Sequence, residues 1–236
     1  MFRPLPVLTI VTLAALAILI ALGVWQLERR EEKHALLDRI ATRANAAPAP
    51  IEIVLATGDD FAAHRRVTAL GTFDQAKEVY VYAPRTDGGP TRQGKKVVTP
   101  FALGSGGTIL VDRGWVDEAW PSTDKTYPEP EGQVEVEGVL RPSSKPGPFT
   151  PPLDVAKHTL FIRDSAAIAK LSGVTLKSRL ILEATTRLGN PEPLKSTLEI
   201  PDNHLNYALT WFSLSLVLLV IYFRYHYVRG LLKFGR

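Results

Sequence analysis

The chain has 236 residues, room for one domain plus membrane segments or for two small domains, and it contains no cysteine. The missing thiols exclude disulfides, thiolate zinc sites, iron–sulfur clusters, thiol catalysis and covalent haem attachment through Cys-x-x-Cys-His. Methionine occurs once and the five histidines show no metal-ligand spacing, so the soft or clustered ligands that a copper carrier normally needs are missing too.

Charge is unevenly placed. Setting aside Arg3, Arg224, Arg229, Lys233 and Arg236 leaves 23 basic residues against 24 acidic ones. The interior of the chain is thus nearly neutral, and the overall charge of +4 comes from the tails and implies no nucleic-acid surface.

From the N-terminus, Val7 to Trp25 is 19 residues without a charge, long enough as a helix to cross most of a hydrocarbon core. A cleaved signal peptide is the other reading. The run exceeds the usual signal core of about 7–15 residues and leads into Trp25-Gln26-Leu27 rather than a small-residue cleavage site, which favours an uncleaved anchor over residues 7–26. The helical pattern continues through 27–45, with Leu27, Leu36, Leu37 and Ile40 on one side and Arg29 spaced to pair with Glu32. Trp25 and Gln26 stand where an interfacial anchor belongs. Ala46-Ala47-Pro48-Ala49-Pro50 then breaks the pattern and opens a domain over 46–200.

Within that domain the signal is β. The runs RRVTALGTF, KEVYVYAP, KKVVTPFAL, GTILVDRGWV, QVEVEGVLR and RLILEAT are short, rich in β-branched and aromatic residues, and separated by Gly and Pro. Val67, Val79, Val81, Val98, Ile109, Val111, Val136 and Leu140 alternate within them and are the expected core. One short helix is expected over Arg163–Leu171, started by Asp164 or Ser165. A second uncharged run, Leu205–Phe223, gives a second span over 203–223, followed by a basic tail over 224–236. The fold class expected is a membrane protein of α+β type, in which two transmembrane helices flank a mainly antiparallel β domain.

Basic tails belong on the cytoplasmic side, so both termini should be cytoplasmic and the domain extracytoplasmic. No Arg- and Ser-rich presequence precedes the first span, so the expected location is a bacterial inner membrane, with the domain in the periplasm.

Signatures of catalysis are missing: there is no His-Glu-x-x-His, Gly-x-Ser-x-Gly, P-loop or Gly-x-Gly-x-x-Gly. Asp112-Arg113 and Glu135/Glu137 could be acid–base groups, but salt-bridged or solvated strand faces are the plainer reading. Arg92, Lys95 and Lys96 could bind an anion, or simply keep a loop soluble. The stretch at the start of the second span is more specific. Pro201, Asp202 and Asn203 form a helix start, with Asp or Asn as the cap, and His204 follows in the first turn. Tyr207, Ala208 and Trp211 share its face. A histidine over two aromatics, with small Ala208 leaving space, suits a flat apolar ring with a metal at its centre. An interfacial belt of amphipathic residues accounts for the same pattern.

Several segments together resemble the Surfeit locus protein 1 family, the assembly factors of haem–copper cytochrome oxidase. They are Gly23-Val24-Trp25-Gln26-Leu27-x-Arg29, Gly71-Thr72-Phe73-Asp74, Ala83-Pro84-Arg85 and Thr99-Pro100-Phe101. They continue in Ile109-Leu110-Val111-Asp112-Arg113-Gly114-Trp115-Val116, Val136-Glu137-Gly138-x-Leu140-Arg141 and Asn203-His204-Leu205-x-Tyr207-Ala208-x-Thr210-Trp211-Phe212. Between 152 and 165 the match is poor, with Phe161 in place of an expected tryptophan. The resemblance implies two spans, an outside domain, no catalytic activity and a role in inserting haem a into oxidase subunit I. It implies a haem ligand at the histidine of the second span, here His204, with Tyr207 and Trp211 lining the site. It implies oxidase subunit I as partner and leaves open whether a haem a synthase shares the load. A haem-free scaffold gripping oxidase subunits is the rival reading, and a membrane-tethered hydrolase a more distant one.

Overall fold

The fold is described from a computed structural model over residues 3–86, 89–120, 129–148, 150–151, 159–193 and 202–232. His158, Pro201, Lys233 and Arg236 lie outside the described residues. The chain divides into two units, one formed by residues 1–39 and 198–236, the other by residues 40–197.

The elements in chain order are α1 (Pro6–Asn45), β1 (Ala49–Pro50), α2 (Ile51–Leu55), α3 (Asp59–Ala62), β2 (Arg66–Phe73), β3 (Val79–Tyr82), β4 (Gly94–Leu103), β5 (Thr108–Asp117), β6 (Gln133–Arg141), β7 (Thr159–Leu160), α4 (Ser165–Ser172), β8 (Leu176–Ala184) and α5 (His204–Val228). Helices α1 and α5 are long and apolar enough to cross a membrane. They flank a β-rich domain, as the two uncharged runs predict.

In the domain, β2, β6, β8, β5 and β4 pair in that order, and β4 pairs again with β2, which closes a five-stranded barrel-like ring. The closure depends on β4 being long. Its first half pairs with β3, Val79 against Val98, while its last three residues pair with β2, Phe73 against Phe101. A register shift at Val97/Val98 separates the two halves. Among the described residues, five strand pairings are antiparallel, while β1 with β2, β3 with β7 and β5 with β8 run parallel.

The core forms two layers. Val67, Phe101, Ile109, Val111, Val136, Leu140 and Leu182 belong to one cluster. Val79, Val81, Val98 and Leu110 pack with Leu160 and Ile168 in a second cluster under β3, β7 and α4. All eight residues expected as core are buried. Strand β5 is buried along almost its whole length, because both its faces are covered, and its apolar run is accordingly nearly continuous rather than alternating.

Helix α4 begins where expected. The Asp164 carboxylate accepts from the backbone N–H groups of Ala166 (3.0 Å) and Ala167 (3.4 Å), so Asp164 rather than Ser165 is the cap. Two further short helices, α2 and α3, are not evident in the sequence. Ile51 and Val54 bury one side of α2, but Ile-x-Ile-Val in so short a run shows no helical period.

Candidate functional site

Helices α1 and α5 form an antiparallel pair tied along its length by polar contacts. At one end Thr9 Oγ1 and Tyr222 Oη lie 2.7 Å apart. The buried His226 ring donates from Nδ1 to the Tyr222 carbonyl at 2.9 Å and accepts the Leu5 N–H at Nε2 at 3.3 Å. In the middle, Gly23 lies against the Phe212 ring, which a Cβ at position 23 would overlap. Ala208 and Ser215 are also buried. Small residues at such a seam let two helices approach closely.

At the other end stands His204. Its Nδ1 is 2.8 Å from Gln26 Oε1. A carbonyl oxygen only accepts, so Nδ1 carries a proton, and in its neutral form the ring keeps its lone pair on Nε2. Nε2 makes no hydrogen bond among the described residues. An imidazole held by one nitrogen with the other left as a donor atom for a metal is the arrangement that an axial haem ligand requires. The half-buried Trp211 has a buried indole N–H with no acceptor among the described residues, and Tyr207 is 56% exposed. His204, Tyr207 and Trp211 share one face of α5 at i, i+3 and i+7, and a free imidazole nitrogen with aromatic neighbours on that face fits a planar ring. Ala208 does not leave the expected space, because it is packed in the helix seam.

Of the two capping residues expected for α5, Asn203 makes no side-chain capping bond. Asp202 does that work. One of its carboxylate oxygens accepts the His204 N–H at 3.0 Å and the other lies 2.7 Å from His34 Nε2, with Arg30 at 3.9 Å. The His204 N–H first, and His34 second, hold the Asp202 carboxyl below the usual carboxylate range. Gln26 and Asp202 are therefore positioning residues; Asp202 was expected as a cap, while its contact with His34 and the role of Gln26 were not. The signal was there: an amide and a carboxylate at the ends of two apolar runs need partners. The expected Arg29–Glu32 pair is formed at 2.7 Å.

The charged residues of the domain are mostly spent on each other. Asp112 is buried, 2.8 Å from Lys96 and near Arg163, which bonds Glu183 at 3.0 Å. Burial pushes the Asp112 carboxyl up, against the pull of Lys96. Arg141 lies 3.8 Å from Glu183 and 3.4 Å from Nδ1 of His64, whose pKa is lowered by burial and then by Arg141. Glu137 pairs with Arg66 at 2.6 Å. Lys95 donates instead to the Trp120 carbonyl and Arg92 faces Asp117, so Arg92, Lys95 and Lys96 do not converge on one anion.

Arg113 forms a second buried network. It is 1% exposed, contacts Glu78 at 3.1 Å and Glu129, donates twice to the Leu188 carbonyl, and stacks over Phe73. Beside it Gly114 has φ +125°, and a Cβ there would overlap the Glu192 carbonyl across the Trp115–Glu192 bridge. Gly114→Ala is expected to cost about 2 kcal/mol or more in backbone strain alone. Thermal unfolding of the full-length protein in detergent should show a clear drop, and an unchanged midpoint would contradict this backbone assignment.

Comparison with known proteins supplies the affiliation. The SURF1 family profile matches residues 13–216. A SURF1-like protein of Rickettsia felis is 31% identical over 224 residues, covering 92% of this chain and 95% of its own length. The Surfeit locus protein 1 of Takifugu rubripes is 31% identical over 212 residues, covering 82% and 86%. That of Homo sapiens is 30% identical over 232 residues, covering 89% and 74%. With most of its length matched, the chain belongs to the SURF1 family.

Proposed function

We propose that this protein is an assembly factor for haem–copper cytochrome oxidase, without catalytic activity of its own, that assists insertion of haem a into oxidase subunit I. In this reading α1 and α5 anchor it in a bacterial inner membrane, with the domain periplasmic and both termini cytoplasmic. His204 holds the haem for the time between delivery and insertion. Family membership supports the assembly role, and the tail charges support the orientation.

The observation that carries the haem reading is the 2.8 Å contact between Gln26 and His204. It fixes the tautomer and leaves Nε2 as a donor atom toward iron, while Tyr207 and Trp211 offer ring faces to the macrocycle. Haem supplies an iron that accepts imidazole as an axial ligand, and a single protein ligand suits a holder that must let go. The domain, with its charges paired internally, serves as the rigid body that meets oxidase subunit I.

The test is the visible spectrum of the protein purified from cells that make haem a. A haem a band at up to one haem per chain is expected. A haem-free preparation that still co-purifies with subunit I would replace haem handling by the scaffold reading. Activity of a cytoplasm-only reporter fused near Gly138 would reverse the orientation.

A further inference from the structure

The far end of α5 carries a groove that haem handling does not use. It is open on one side, has a volume of about 620 Å³, and runs past Leu216, Leu219, Val220 and Phe223 to Arg224 and Tyr227, with Leu232 on one flank. Leu232 is held there by the chain folding back after Arg229. Its N–H donates to the His226 carbonyl at 3.1 Å, that of Leu231 does so at 2.9 Å, and the Leu231 carbonyl accepts the Arg3 N–H at 2.9 Å. The groove is thus built from a helix face and a tethered turn, not from a helix face alone.

Arg224 is the first charge after the uncharged run Leu205–Phe223. Its guanidinium has no ion pair or hydrogen bond among the described residues. From Leu216 to Arg224 is eight residue steps, or about 12 Å of helix, so an apolar groove of that length reaches a cation that is unpaired among the described residues. A partner helix is a poor fit for it. Close helix pairing uses small residues, and the groove is lined by none. Leu, Val and Phe lining a channel that ends in arginine match an acyl chain below an anionic headgroup.

We propose that this groove binds one anionic phospholipid, its acyl chain along Leu216–Phe223 and its phosphate on Arg224. The proposal rests on the membrane placement given above. It assigns the cytoplasmic end of the hairpin a lipid contact that steadies the turn holding Leu232.

Full-length protein in detergent, offered equal amounts of dioleoyl phosphatidylglycerol and dioleoyl phosphatidylcholine, can be weighed intact with its retained lipid. The wild type should keep phosphatidylglycerol over phosphatidylcholine by about fivefold, the preference one surface cation supplies. Arg224→Gln should bring the ratio to about one. Leu219→Trp, which fills the groove, should lose both lipids, whereas Ile221→Trp, at an exposed position outside it, should lose neither. Equal retention by the wild type, or a preference that survives Arg224→Gln, would overturn the proposal. So would a Leu219→Trp protein that keeps its lipid but sheds co-purifying membrane subunits, which would make the groove a helix-docking face. Alkaline carbonate extraction separates the two levels: release into the supernatant removes the membrane reading itself, while a pelleted protein without lipid preference removes only the site.

Discussion

Arg113→Met should destabilise the domain by about 3–5 kcal/mol, because it strips one partner from a buried charge network and leaves the others buried. The methionine fills much of the same volume, so the loss is electrostatic rather than a cavity. Glu78 and Glu129 would face each other without the guanidinium between them, and the Leu188 carbonyl would lose both of its donors from Arg113. For a domain of this size the unfolding midpoint should fall by about 6–20 °C. Arg113→Lys keeps the charge but not the planar fork, and should lie between the two. The loss should also depend on pH. Burial already pushes the Glu78 carboxyl up, with Arg113 as the main opposing influence. Removing Arg113 raises it further, so the folded variant binds a proton more tightly than the unfolded chain does. A group raised in this way stabilises below its unfolded pKa and loses that contribution as pH rises through its folded value. The Arg113→Met deficit should therefore be smaller at pH 5 than at pH 8. A deficit under 1 kcal/mol, or one that grows toward acid, would show that Arg113 does not neutralise these carboxylates.

Arg113 also illustrates what a sequence conveys and what it does not. Salt-bridged strand faces are the plainer sequence reading of Asp112-Arg113, and the two side chains are ion-paired. Neighbouring side chains on a strand buried on both faces point oppositely, and each meets its own counter-charges: Lys96 for Asp112, Glu78 and Glu129 for Arg113. Those partners come from β4, from the residue preceding β3, and from the segment before β6. No local pattern announces such long-range company. Strands β2, β3, β4, β5, β6 and β8 were legible because β-branched alternation and Gly or Pro punctuation are local signals. The ring closure between β2 and β4 was not, because it depends on a register shift at Val97/Val98 and on one strand serving two neighbours. The parallel pairing of β5 with β8 was hidden for the same reason. The hairpin shows the reverse case. His204 stood out as a polar residue at the head of an apolar run, and Gln26 stood at the end of the other run for the same reason. The sequence displayed both, and only the antiparallel pairing of α1 with α5 brings them to 2.8 Å.

That contact gives the His204 prediction its sharpest form. In cells that make haem a, His204→Ala should lower bound haem at least tenfold while the protein level holds, since alanine leaves the span apolar and removes no packing contact at Gly23 or Ala208. Oxidase activity should fall through missing haem rather than missing copper. Gln26→Ala leaves the ligand in place but frees the ring to turn and to change tautomer, and losing an outer-shell partner of this kind typically costs 10–100-fold in metal affinity. Gln26→Glu keeps an acceptor for Nδ1–H and should restore most of the binding. A plain packing role for His204 would not produce this ordering, in which the wild type and Gln26→Glu exceed Gln26→Ala, and Gln26→Ala equals or exceeds His204→Ala. The readout is the haem a absorbance per chain, measured beside oxidase assembly in the same membranes. If His204→Ala keeps both its haem spectrum and full oxidase assembly, His204 is no ligand and the haem-free scaffold is the reading that stands. If haem is lost but assembly continues, the bound haem is incidental to delivery. Loss of both, with rescue by Gln26→Glu but not by Gln26→Ala, ties delivery to an imidazole oriented from the opposite helix.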